Sequence, residues 1–209
     1  MAENFHKPTQ YSTDKFDTFE GGEDPAQIMR AAHDTAHALL EGARNSDDPA
    51  VIDRIIAYTD KNGIDSLAEL WSRSSAASLP GALWRIYLLR AVIQQDAVGT
   101  SLLFQRGIET LPTIDAAVTG AINPTGPEEI KGLADQILRG LFRGDFGVAL
   151  DRAASFSRIL ASGAGSIADD QELLDPERAT ELTTRASRYS LMAEELTGCA
   201  KRYRAGALD

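Results

Sequence analysis

Three side chains with metal-ligating chemistry share one predicted helix face. His33 and His37 stand four residues apart in the run HDTAH, and Glu41 follows after another four. That spacing returns to the same side of a helix once per turn. Two imidazoles and a carboxylate so arranged suit zinc or iron. The run lacks the glutamate beside the first histidine that gives zinc proteases their base, and the paired Glu-x-x-His motifs of di-iron bundles are missing. The alternative is three half-exposed polar residues beside the apolar row Ile28, Ala32, Leu39 and Leu40. Nucleophilic chemistry has thinner support. Cys199 is the one cysteine, so no internal disulfide and no cysteine metal site is available. It falls in the terminal helix, where a thiol acts as a small hydrophobe. The serines of SRSSAAS are explained by turn chemistry, no Gly-x-Ser-x-Gly elbow occurs, and SGAGS lacks the lysine of a phosphate loop. The expectation is a protein without a catalytic constellation and without a cofactor.

The elements that position these groups read as helices throughout. Asp24-Pro25 and Asp48-Pro49 each set a capping acid before a proline, predicting helices over 25–44 and 49–62. The second carries Val51, Ile52, Ile55, Ile56 and Tyr58 on an apolar face and stops at Asn62-Gly63. Asp65 opens a short helix through Trp71, and Pro80 starts one that runs to about Gln95. Helices are expected around Leu102–Phe104 and over 112–120. Gly126-Pro127 starts another, with Ile130, Ala134, Ile137 and Leu141 on one face to about Arg143. Gly144 stops it and Asp145 caps the next, which runs to Leu160. Residues 162–175, SGAGSIADDQELLD, read as a flexible acidic linker.

The last helix has the most regular pattern. Ala179, Leu182, Ala186, Tyr189, Ala193, Leu196, Ala200 and Tyr203 alternate spacings of three and four, a heptad seam that requires a facing helix. The facing helix belongs either to the same chain, the preferred reading, or to a second copy. With no segment alternating apolar and polar residues, the fold class is all-α. We expect a bundle of about seven to nine helices with a buried central helix near 80–95. It forms a single domain over 25–209, with possible sub-bundles 25–120 and 127–205.

The stretch SLAELWSRSSAASLPGALWRIYLL, within 65–90, resembles the helix-turn-helix of TetR-type repressors, where a short helix leads through a turn to a recognition helix. The resemblance implies a DNA-binding regulator. It departs from the pattern in lacking the turn glycine, and its second helix continues as IYLLRAVIQ. From Ala82 to Ile93 only Arg85 and Arg90 interrupt the apolar run. A helix apolar on all sides belongs in a core, whereas a recognition helix must be exposed. Arg85 and Arg90 then require carboxylate partners or a route to the surface.

Of the 209 residues, 43% are hydrophobic and 25% charged, ordinary values for a globular chain, and the net charge is −10. Such a field repels phosphate backbones, which disfavours nucleic acid as a partner. No run is long and apolar enough to predict a membrane span, and the single cysteine fits a reducing compartment, so the expected location is the cytoplasm. Residues 1–24 form an acidic tail without helical period, expected to be disordered, in which six acids outweigh two lysines. Among them stand Phe5, Tyr11, Phe16 and Phe19. Aromatics in an acidic tail are anchors of partner-binding segments, and Phe16, Phe19, Trp71 and Trp84 are the candidate contacts. The function these features favour is association, with another protein or with a second copy. A DNA-binding regulator and a helical bundle holding a ligand or metal are the alternatives.

Overall fold

A computed structural model describes residues 24–46, 48, 50–62, 70–121 and 125–209. The described residues are helical with short connections and contain no strand. Helix α1 spans Pro25–Arg44 and begins as its sequence dictates: the Asp24 carboxylate accepts from the Ala26 amide at 3.0 Å, ahead of proline. Helix α2 spans Val51–Asn62. Its start is held by Asp48, whose carboxylate accepts from the Ala50 amide at 2.8 Å and from Arg54 at 2.7 Å. These bonds, the backbone one foremost, hold the carboxyl below its usual range. Tyr58 of α2 is exposed, contrary to its expected place on a buried face. The stop at Gly63, the Asp65 cap and the tail with Phe16 and Phe19 lie outside the described residues.

Helix α3, Leu79–Gln95, is the core element that its apolar sequence requires. Ser78 caps it, the hydroxyl accepting from the Gly81 amide. Leu83, Ile86, Tyr87, Leu89 and Ile93 are buried, and α1 lies against it. Leu88 and Trp84 are half-buried, so the deepest leucines are the neighbours Leu83 and Leu89. Both arginines find the carboxylates they need. Arg90 Nε donates to Asp135 at 2.7 Å, and Arg85 Nε donates to Glu195.

Helix α4 spans Ala97–Thr110, capped by Asp96, and the short α5 spans Asp115–Thr119, ended by Gly120 at φ +70°. Helix α6, Pro127–Arg143, buries the predicted row Ile130, Ala134, Ile137 and Leu141 and packs on α3. Helix α7 departs from expectation. It runs unbroken over Phe146–Gln171, straight through the segment read as a linker. Within SGAGS it is Gly163 that packing requires. Gly163 lies so close to α4 that a Cβ would meet the Leu103 carbonyl oxygen at 1.8 Å, and a Cβ on Gly107 would meet the Ile159 carbonyl oxygen at 2.0 Å. Glycine inside a helix costs up to ~1 kcal/mol against alanine. Close approach of the two backbones, with Phe104 stacked on Phe156 at 5.0 Å, offsets that cost.

Helix α8 spans Pro176–Arg204, capped by Asp175. Buried hydrophobic residues from Ala32 to Ala200 belong to one core cluster, to which helices on both sides of residue 120 contribute. No helix among the described residues is long and apolar enough to cross a membrane.

Candidate interaction surface

Helices α7 and α8 are joined only by Glu172–Asp175 and form an antiparallel hairpin. Phe146, at the start of α7, packs its ring 5.0 Å from that of Tyr203, near the end of α8. Arg204 pairs with Asp151 at the same end. The heptad seam lies between the two helices. Ala179, Leu182, Tyr189, Ala193, Leu196 and Ala200 are buried, and Ala186 and Tyr203 pack on the core as half-buried residues. The seam is therefore covered within the chain, by α7. Ala168 is buried and lines a cleft together with Ala179, so it belongs to the facing side of the seam.

The remaining predicted residues are scattered. Trp71 is 1% exposed, with its indole N–H donating to Thr35 Oγ1 at 3.2 Å and its ring 6.1 Å from that of Tyr87. It is a core residue, not a partner anchor. Trp84 packs against the core from a half-buried position. The helix-turn-helix reading places its recognition helix on α3, whose buried sides leave it unable to enter a major groove. His37 Nε2 hydrogen-bonds the Asp209 carboxylate at 3.1 Å, and Asp209 is anchored in turn by its backbone oxygen, which accepts from the Leu79 amide at 2.9 Å. Among the described residues no three His, Cys, Asp or Glu side chains are grouped to hold a metal, so the structure does not bring His33, His37 and Glu41 together as ligands. Cys199 donates to the Ala76 carbonyl oxygen at 3.0 Å, and burial pushes its thiol up, away from the reactive thiolate.

What the sequence did not single out is the outer face of the hairpin. An open groove of about 720 Å³ runs over it, with Leu111, Ala161, Ala193 and Gly198 among its lining residues and Lys201 at one end. One wall is fixed by Arg158, which donates to both Asp115 Oδ1, at 2.6 and 2.9 Å, and Thr197 Oγ1. Burial pushes the Asp115 carboxyl up, but the hydrogen bonds from Arg158, Thr113 and Ser155 prevail and hold it below its usual range. That network ties α5 to α7 and α8 and makes the wall rigid. Leu191, 56% exposed, sits two turns before Gly198 on the same side of α8. Ile114, 78% exposed, precedes Asp115, the residue that Arg158 holds. Nearer the hairpin tip a second cleft, of about 430 Å³, includes Ala168, Asp169, Glu172 and Thr180 in its lining. The signal that reveals the surface is Leu191 itself, a large apolar residue off the seam.

No protein-family model, curated protein or solved structure matches the chain.

Proposed function

We propose that the protein is a non-enzymatic helical association module, and that the groove on the outer face of the α7–α8 hairpin is its docking surface. One observation carries this reading: an open groove on the hairpin is lined by Leu111 and by the small residues Ala161, Ala193 and Gly198, and Leu191 stands exposed beside the lining residue Ser190 in the chain. A helix seated there adds a third rod to two that are already fixed, the mode by which an amphipathic segment enters a groove. Small floor residues let the incoming backbone approach closely, and Leu111 offers it an apolar side.

The test uses Gly198→Leu and Leu191→Asp. A Cβ at Gly198 has no neighbour within 4 Å, so leucine there starts from open space and extends into the groove. Captured from native lysate beside the unaltered chain, both variants are expected to lose the bound partner. If both retain the partners of the unaltered chain, the groove is not the docking surface.

A further inference from the structure

Two stretches of the hairpin differ in the sign of their charge, although Arg178, Arg185 and Arg188 follow the first on α8 and Asp145 and Asp151 stand near the base on α7. From Ile159 to Glu177 the chain carries Asp169, Asp170, Glu172, Asp175 and Glu177 and no cation. From Leu196 to Gly206 it carries Lys201, Arg202 and Arg204 and no anion. Asp170 is taken up by Arg106 and Arg204 by Asp151, which leaves Asp169 and Glu172 exposed at the tip end of the outer face and Lys201 and Arg202 exposed at its base. Between the two ends Leu191 stands next to Ser190, the middle residue of α8.

We propose that a second copy of this chain occupies the groove, the two hairpins lying antiparallel about a twofold axis that passes between Ser190 and Leu191. The inference rests on the association reading and names its partner. Such an axis sets Leu191 beside the same residue of the other copy. It sets Lys201 at the height of Thr180 of the other copy, and Asp169 shares the cleft with Thr180. Lys201 of each copy therefore faces Asp169 of the other, twice per dimer, as an isologous contact requires. Glu194, the anion in the groove, falls at the height of Ser187 and meets no like charge. A parallel arrangement instead brings the acidic tips together, and like charges across an interface oppose association.

The experiment is sedimentation of the full chain and of two charge-reversed variants. One is Lys201→Glu with Arg202→Glu, and the other is Asp169→Lys with Glu172→Lys; all four positions are exposed, and circular dichroism confirms that each variant is folded. The unaltered chain is expected at twice its 22.5 kDa mass. Each reversed variant alone repels its own copy at both ends and is expected to dimerise at least about tenfold more weakly, whereas an equimolar mixture of the two restores the dimer. Leu191→Asp serves as a variant that removes the central contact without touching either end, and it is expected to sediment as a monomer. A single-chain mass for the unaltered protein up to about 100 µM overturns the proposal. So does a dimer that both reversals and Leu191→Asp leave intact. A monomer that still loses a captured protein on Gly198→Leu overturns the second copy and leaves the association reading standing.

Discussion

Replacing Gly163 with alanine tests whether α4 and α7 are held at backbone contact. Alanine removes a helix-interior glycine, and on propensity alone that stabilises by up to ~1 kcal/mol. The new methyl, however, would lie 1.8 Å from the Leu103 carbonyl oxygen and 2.9 Å from the Gly107 amide nitrogen, both backbone atoms without a rotamer to escape through. Ordinary contact begins near 3.4 Å, so the two helices must part by about 1.5 Å. Parting them also opens the stacked Phe104 and Phe156 rings. Overpacking of this kind costs ~1–3 kcal/mol and at times more, which exceeds the propensity gain. Gly132 in α6 is the reference, because a Cβ there meets nothing within 4 Å and Gly132→Ala keeps the gain alone. Urea unfolding followed by circular dichroism should separate the two variants by roughly 1–3 kcal/mol, the propensity gain being common to both, with Gly163→Ala below the parent and Gly132→Ala slightly above it. If Gly163→Ala equals or exceeds Gly132→Ala in stability, α4 and α7 are not in backbone contact and the account of the SGAGS segment fails.

Leu89→Ala, at a nearly sealed site in α3, should cost ~2–5 kcal/mol in the same assay, and a loss under about half a kcal/mol would place α3 at a surface. Ala200→Leu, in the buried seam, should cost ~1–3 kcal/mol with oligomeric mass unchanged, against an exposed reference such as Ala57→Leu; dissociation of folded subunits would instead put the seam between chains. Asp115 contributes a definite pH dependence. Its carboxyl titrates lower in the folded chain than the ~3.9 of an unfolded aspartate, so its stabilisation is present above about pH 4 and is lost as pH falls through the folded value. Asp115→Asn should lower stability at neutral pH and flatten the acid limb of the stability curve, and parallel limbs for parent and variant would show that Arg158 does not hold an ionised partner.

Local and periodic features were legible in the sequence. The Asp24 cap, the Ile130 to Leu141 row and the alternating Ala and Leu/Tyr seam each follow from interactions within a few residues or from one buried stripe, and each is present in the fold. The break expected at 162–175 is confined to 172–175, because glycine and serine signal a loop only when nothing packs on them. At Gly163 the decisive contact comes from Leu103, sixty residues away, and a composition pattern does not contain it. The uniformly apolar run of α3 has no phase to say which of Leu88 and Leu89 points inward, and it is Leu89 that is buried. The candidate surface was half legible. Its charge segregation is written along the chain, but its groove depends on Leu111 meeting α7 and α8, and no spacing rule joins those elements.

The short Glu172–Asp175 connection has a consequence for the order in which the molecule assembles. The most extensive helix pair in the fold is also the most local one, since α7 meets α8 across four residues, whereas α4 and α5 reach α7 only from a distance along the chain. Closing a short loop is entropically cheaper than closing a long one, and contacts local in sequence form soonest. The hairpin is thus a template on which α4, α5 and α6 settle. During synthesis that template emerges after the helices that pack on it, so the side of α4 that carries Phe104 meets its stacking partner Phe156 only once α7 has been made.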